Sequence, residues 1–297
     1  MGVEPRLLRQ PPRQPFLCAT CSRRGMFICK TCAVPTERSR YQSICDRCNP
    51  MPEGNAWEVI DGKARGNDII VEARSHRPFA VEVESFLDPD EATMYGDIEA
   101  GWERGSDASI HPDPGCSDPT EFKCSPLRGD EGLRLLYTGV QRIRDLGYRA
   151  NTSCGLHAHV SLLDTAPEER EALRTFGLWI EQDIYKLVAP SRREVTYCRP
   201  LNQGNRNERY KWLNLMSWER HRTVEFRFHH GCTRPLAVVE FVKLCLRIVE
   251  RGLKLGHKAQ KPGGGIFDLL GLSAYEREYW TATAKKLHGE NVVFEVR

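Results

Sequence analysis

The sequence lacks any long apolar run, and no stretch approaches the roughly 18 uninterrupted apolar residues that a membrane-spanning helix needs. Residues 5–13 are rich in proline and arginine, where a secretory signal peptide would be apolar. The chain also has little excess charge, because 43 basic residues nearly balance 40 acidic ones. We therefore expect a cytoplasmic protein with no membrane partner, and nucleic acid is not expected to be its main partner.

The sequence has no P-loop either. A glycine-rich turn at residues 261–265 is not followed by the lysine and hydroxyl residue of that motif, so it is interpreted as a flexible connection. A length of 297 residues with 40% apolar residues is enough for one large catalytic domain and a small appendage.

Cysteine is unevenly distributed, since six of the 12 cysteines form three C-x2-C pairs within residues 18–48. This spacing is typical of metal knuckles in zinc ribbons, and nothing in the sequence suggests the oxidising compartment that disulfides require. One tetrahedral zinc takes four thiolates, so which four of the six bind stays open. The candidate ligands are Cys18, Cys21, Cys29, Cys32, Cys45 and Cys48.

The cysteine-rich segment is predicted to be a separate module. Turn residues at 49–54 indicate a linker, which divides the chain into a basic arm and zinc-ribbon-like module at residues 1–52 and a catalytic domain at residues 53–297. About 35 residues cannot bury enough apolar surface to fold alone, so zinc is expected to stabilise the module. Nucleic-acid contact, protein docking and a stabilising cap all remain open as its role.

Three short apolar runs of the predicted catalytic domain each carry two polar side chains separated by one residue. In a strand, residues i and i+2 point to the same face, so all three pairs can line one pocket on a sheet. Each pair alone also fits the solvated face of a half-buried strand, but together they favour a site for polyvalent cations and phosphate. The pairs are Glu82 with Glu84, His157 with His159, and Glu225 with Arg227.

The coarse pattern predicts an α+β fold with an antiparallel sheet. Strands at 69–74 and 79–86 are predicted to form a hairpin, and residues 88–118 are predicted to be a long surface excursion. Apolar periodicity predicts helices at 131–146, 166–188 and 235–253, and a final helix from Ser273 to before Gly289.

Four motifs in order resemble the amidoligase family. They are E-V-E, T-E-F-K-C-S-P-L, C-G-L-H-A-H-V and T-V-E-F-R-F-H-H-G, and the similarity covers residues 79–255. That family belongs to the carboxylate-amine ligase superfamily, whose best known member is glutamine synthetase. The resemblance implies a glutamine synthetase-like antiparallel sheet with helices packed on one face, preceded here by the small zinc module.

The resemblance also implies an activity. A carboxylate substrate would be activated by ATP to an acyl phosphate, and an amine substrate, which includes peptides and proteins, would attack it to give an amide. Two Mg²⁺ ions and an arginine would neutralise the phosphates, with Arg227 as the phosphate contact. The implied Mg²⁺ ligands are Glu82, Glu84, Glu121, His157 and Glu225.

Further positions are weaker candidates. His159 shares the face of His157, so it either contacts nucleotide or substrate or is simply hydrogen-bonded within the sheet. Arginines before the last strand offer more phosphate contacts, namely Arg209, Arg220 and Arg222. The resemblance implies substrate contacts at Trp102, Asp107, Ser109 and Asn214.

Two other functions remain open at this point. A metal-dependent hydrolase could use the same carboxylates and histidines without ATP, and a zinc-ribbon adaptor could have lost catalysis altogether. A thiol enzyme that pairs Cys154 with His157 is disfavoured, because residues three apart point to opposite faces of a strand. The oligomeric state stays open, since the small N-terminal domain with which glutamine synthetase builds sites between subunits has no counterpart here.

Overall fold

The computed structural model of the protein describes residues 73–294 apart from 95, 99, 195 and 203–207, together with two short strands near the N-terminus. These strands, β1 (Met26–Ile28) and β2 (Pro35–Glu37), pair antiparallel. The six cysteines of the predicted zinc module and the linker at 49–54 lie outside the described residues, as do residues 69–72.

A seven-stranded antiparallel sheet forms the centre of the described domain, which confirms the predicted antiparallel sheet. Its order is β4-β5-β3-β7-β9-β8, and β6 pairs with the end of β3. The strands are β3 (Phe79–Leu87), β4 (Trp102–Ser106), β5 (Ser117–Cys124), β6 (Tyr148–Arg149), β7 (Gly155–Ser161), β8 (Leu213–Asn214) and β9 (Thr223–His230).

Strand β3 is central in the sheet, but its predicted hairpin partner is wrong where the structure describes it. Ala73 and Arg74 belong to no strand, and β3 pairs instead with β5 and β7. The reason is local, because the Ala73 N–H donates to the side chain of Asp130 at 2.8 Å and Arg74 has a φ of 45°. Ala73 and Arg74 are therefore not part of a strand, and the strand conformation begins only at Phe79.

The prediction of a surface excursion at 88–118 is wrong in its second half, because β4 and the start of β5 lie there. Strand β4 is an edge strand whose residues 103–106 are all exposed. An exposed edge strand has no apolar alternation, so periodicity could not reveal it.

Helices follow the predicted order. They are α1 (Gly129–Asp145), α2 (Pro167–Ile184), α3 (Ser191–Glu194), α4 (Ser217–His221), α5 (Pro235–Leu255), α6 (Ile266–Leu270) and α7 (Ala274–His288). The four predicted helices are confirmed as α1, α2, α5 and α7. Helix α2 ends at Ile184, before the predicted 188. The prediction extends too far because Leu187, which is buried in a bend after the helix, continues the apolar pattern of the sequence. Among the described helices, none is both long and apolar enough to span a bilayer.

The main core lies between the sheet and helices α1, α2 and α5. Alternate residues of β3, including Phe79 and Val81, are buried in it. A methyl group at Gly132 of α1 would lie 3.3 Å from the Phe79 ring, and one at Gly252 of α5 would lie 2.5 Å from Leu173 of α2. Glu82 and Glu84 alternate with the apolar residues of β3, so they point away from this core.

Helices α5 and α7 also bury a small polar network. The Lys243 ammonium donates to Glu240 at 2.8 Å and lies 3.9 Å from Glu276. All three residues are at most 3% exposed. Burial raises the pKa of Glu240 to about 7, although the charge of Lys243 opposes this.

We expect Glu240→Gln to gain stability relative to the wild type as the pH rises from 4.5 to about 7. A raised pKa means that the folded chain holds the Glu240 proton more tightly than the unfolded chain, so the wild type loses stability across that window. The difference in unfolding free energy between Glu240→Gln and the wild type should change across this window by an amount on the order of 3 kcal/mol. Urea unfolding at several pH values measures it. The exposed Glu278→Gln is the control, and a difference that does not vary with pH would contradict the prediction.

Candidate active site

The polar face of the sheet collects ionisable side chains in rows. Strand pairing places Glu82 of β3 between Lys123 of β5 and His157 of β7. In the next row, Glu84 stands opposite Glu121. Directly opposite residues share a face, so the carboxylates and the imidazole point into one site.

The third predicted pair joins the same face from β9. Glu225 stands opposite His159 of β7 on one side and Asn214 of β8 on the other. Arg227 follows two residues later, beside a β-bulge between β7 and β9. The structure therefore brings together all three pairs that the sequence singled out.

Glu82 is the centre of the site. One of its oxygens, Oε2, lies 3.2 Å from His157 Nδ1, and the other, Oε1, lies 3.7 Å from His159 Nε2. The Lys123 ammonium lies 3.6 Å from Oε1. Burial alone would raise the pKa of Glu82, but the hydrogen bond with His157 and the nearby charges of both histidines lower it well below the ordinary value. Glu82 is therefore held as a carboxylate.

Glu121 has a different electrostatic environment. Its Oε2 lies 2.6 Å from Lys123 Nζ. Burial, followed by repulsion from Glu82, nevertheless raises the pKa of Glu121. The two neighbouring carboxylates thus repel each other even with the Lys123 ammonium beside both of them, and such an arrangement favours a polyvalent ion.

Glu84 connects the site to the first residue of β7. Its Oε2 accepts the Gly155 N–H at 2.6 Å, while Oε1 lies 3.6 Å from His157 Nε2. A methyl group at Gly155 would lie 2.8 Å from His157 Nε2 and 3.3 Å from Glu84 Oε2. The glycine of C-G-L-H-A-H is therefore required for space.

We expect Gly155→Ala to weaken divalent-cation binding about tenfold or more, because the added methyl must displace His157 or Glu84. Titration with Mn²⁺ measures the effect. Gly105→Ala is the control, since a methyl there meets only the Glu121 carbonyl oxygen at 4.0 Å. Equal cation affinity in the two variants would contradict the prediction.

Glu225 is held in place by three neighbours. It forms an ion pair with the Arg227 guanidinium, accepts the Asn214 amide at 2.6 Å and lies 3.7 Å from His157 Nδ1. Burial raises the pKa of Glu225, but the charges of His157 and Arg227 outweigh it and lower the pKa. Arg227 is fixed in turn, because its Nε donates to the Tyr197 carbonyl at 3.0 Å.

His159 has one satisfied and one unsatisfied nitrogen. Its Nδ1 lies 3.0 Å from the Thr223 hydroxyl and 3.3 Å from the Ser217 hydroxyl, whereas its Nε2 is buried without a hydrogen-bond partner among the described residues. A buried polar atom without a partner is costly. Because Nε2 faces Glu82, it has the orientation of a metal ligand rather than of a fully hydrogen-bonded sheet residue.

Among the residues that the structure describes, three overlapping groups of side chains have ligand atoms within 4.8 Å of one another. Their carboxylate oxygens and imidazole nitrogens suit divalent cations, and the predominance of oxygen suits Mg²⁺ or Mn²⁺. The groups are Glu82, Glu121 and His157; Glu82, His159 and Glu225; and Glu84, Asp107 and Glu121. Glu82 belongs to two of them, so the donor set fits two neighbouring ions.

Among the predicted substrate contacts, the structure brings Asp107 into the site but not Trp102. The Trp102 indole packs on α1, where a methyl group at Gly139 would lie 2.2 Å from its Nε1. It therefore lies with the core on the opposite face. Ser109 donates its N–H to Asp107 Oδ1 at 2.8 Å, and Asn214 already binds Glu225.

The three arginines before β9 are exposed. The guanidinium carbon of Arg222 lies 5.0 Å from the centre of the Trp218 ring. Arg222 is the C-cap residue of α4 and has a φ of 59°. Arg227, another predicted phosphate contact, forms an ion pair with the site carboxylate Glu225.

Sequence reasoning missed two cations of this face. Lys123 stands two residues after Glu121, so the same spacing rule that selected the other pairs could have found it. Arg192 of α3 offers no such signal. It is buried, donates to the carbonyl of Arg227 at 2.9 Å, and lies close to Gly155.

Comparison with known proteins identifies a family. Residues 54–204 match the family model described as "Putative amidoligase enzyme". The chain belongs to that family. The match includes Glu82, Glu84, Glu121 and His157 but ends before Glu225 and Arg227, which the fold adds from β9. No curated protein matches the chain.

Proposed function

We propose that the protein is an ATP-dependent carboxylate-amine ligase that acts through an acyl phosphate. The observation that carries the proposal is the position of Glu82, which belongs to two ligand groups on the polar face of the sheet in a chain of the amidoligase family. A phosphate-binding arginine, Arg227, adjoins the second group. The domain boundary at residues 52 and 53 is part of the proposal.

Two Mg²⁺ ions, when bound, would neutralise the phosphate oxygens and align donor with acceptor. Glu82, Glu121 and His157 would hold one ion, and Glu82, His159 and Glu225 would hold the other. Glu84 accepts the Gly155 N–H, its other carboxylate oxygen lies 3.6 Å from His157 Nε2, and it forms a third ligand group with Asp107 and Glu121.

The bonds balance in two steps. A carboxylate oxygen of the substrate attacks the γ-phosphorus of ATP, and ADP leaves. The amine nitrogen then attacks the acyl carbon, the bond between that carbon and the phosphate oxygen breaks, and the nitrogen gives a proton to solvent, so that an amide and inorganic phosphate result. Arg227 contributes to the first step, since its guanidinium lies beside Glu225 and can donate to the transferring phosphoryl group.

Equilibrium nucleotide binding tests the proposal. We expect ATP to bind only with Mg²⁺ present, and Glu84→Gln and Glu225→Gln to lose that binding by about a hundredfold. Glu278→Gln, an exposed change on α7, is the control. Binding of Zn²⁺ or Mn²⁺ to the site without any ATP binding would reject the ligase and favour a metal-dependent hydrolase. Absence of both would favour the adaptor.

We also propose that residues 1–52 form a zinc-stabilised module, which is supported by the three C-x2-C pairs. Elemental analysis of the full chain should give bound zinc, and a variant with all six of these cysteines changed to serine should lose it. The same variant should keep Mg²⁺-dependent ATP binding if the module and catalytic domain are separate. Loss of ATP binding with a folded catalytic domain would instead make the module part of the site.

A further inference from the structure

Lys123 occupies the space between two candidate metal ligands. Its ammonium lies 2.6 Å from Glu121 and 3.6 Å from Glu82, and both carboxylates belong with His157 to the first ligand group. A divalent ion shared by Glu82 and Glu121 would need the same space between the two carboxylates. Two cations cannot both occupy it.

Lys123 is free to move in a way that Arg227 is not. The Arg227 side chain is only 11% exposed and is anchored to a backbone carbonyl as well as to Glu225. The Lys123 side chain is 45% exposed, and its ion-pair partners are the two carboxylates themselves. A flexible four-carbon stem lets an ammonium move away without disturbing the strand.

The register also provides a place for the displaced ammonium. Glu103 of edge strand β4 stands directly opposite Lys123, on the side away from Glu82. Cross-strand partners share a face, so Glu103 lies within reach of Lys123 on the polar face. Glu103 is exposed, and its carboxylate can pair with Lys123 once a divalent ion neutralises Glu82 and Glu121.

We propose that Lys123 is a tethered cation that occupies the first metal position when no ion is present and is displaced toward Glu103 when a divalent ion binds. The ammonium limits the repulsion between Glu82 and Glu121 in the empty site. It therefore competes with the ion and sets the concentration at which the site fills. This proposal rests on the metal centre proposed above.

Mn²⁺ titration of the full-length, zinc-loaded protein without nucleotide tests it. The hard Mn²⁺ ion is a poor match for thiolates, so the N-terminal cysteines interfere little. We expect Lys123→Met to bind Mn²⁺ about fivefold or more tightly than the wild type, because removal of the competing charge releases both carboxylates. Lys123→Arg, which keeps the charge, should stay near or below the wild-type affinity. Lys258→Met, an exposed change of equal charge, should have no effect.

Unchanged or weaker Mn²⁺ binding by Lys123→Met would overturn the role of Lys123, as would equal tightening by Lys258→Met. If the role of Lys123 is overturned but the wild type binds Mn²⁺ and Glu82→Gln does not, the proposed metal centre still stands. If neither the wild type nor Lys123→Met binds Mn²⁺, the metal centre itself is wrong. Binding that appears only in Lys123→Met would support the competition directly. A second readout is Glu103→Gln, which should weaken Mn²⁺ binding because the displaced ammonium loses its acceptor.

Discussion

Glu82→Gln is expected to lose both divalent cations, with affinity for Mn²⁺ falling by about a hundredfold to a thousandfold. Glu82 is common to the two ligand groups that would hold the ions, so one substitution removes an anionic ligand from both. Glutamine keeps the size of the side chain, and its amide can still hydrogen-bond His157. The loss should therefore appear in cation binding and not in folding.

The control is Glu103→Gln, which changes the same charge on the same face at an exposed position two strands away. Glu103→Gln should lose far less affinity than Glu82→Gln. Glu84→Gln should fall between them, because one Glu84 oxygen is already bound to the Gly155 N–H. Isothermal titration with Mn²⁺ and thermal unfolding of each variant measure this ranking. Equal losses in Glu82→Gln and Glu103→Gln would mean a general charge effect, and Glu82 would not be the shared ligand.

The sequence could predict which side chains share the site, because the pleat of a strand places residues i and i+2 on one face regardless of its neighbours. That rule was enough for Glu82 with Glu84 and for Glu225 with Arg227. It could not predict which strands are adjacent. The pairing of β3 with β5 and β7 depends on contacts between residues far apart in the chain, whereas closeness in sequence favours the segment at 69–74 as the partner.

Trp102 and its neighbour Glu103 point to opposite faces of β4, which decides which of them lies near the site. Resemblance of motifs implied a substrate contact, yet the strand directs Trp102 to α1 and the next residue, Glu103, to the polar face. Strand β4 itself had no apolar alternation, so its register could not be read from the sequence. Arg192 was hidden for a related reason, since α3 is too short to show a helical period.

Arg227→Lys is expected to weaken Mg²⁺-dependent ATP binding by about tenfold to a hundredfold while Mn²⁺ affinity changes little. The charge beside Glu225 remains, so the second ligand group keeps its neutralising partner. A single ammonium, however, cannot hold the Tyr197 carbonyl and Glu225 together and also donate to a phosphate, which a planar guanidinium can do. The separation of ATP affinity from cation affinity is the signature of a phosphate contact.

Arg222→Lys is the matched control, because Arg222 belongs to the predicted phosphate-binding arginines but stacks on Trp218 at the surface. ATP titration at saturating Mg²⁺ should show no change for Arg222→Lys. If Arg222→Lys weakens ATP binding as much as Arg227→Lys does, the nucleotide lies along α4 rather than over β9. If Arg227→Lys weakens Mn²⁺ binding as much as ATP binding, Arg227 acts only through Glu225. Either result would contradict the proposed position of the ATP phosphates beside Glu225 and Arg227 of β9.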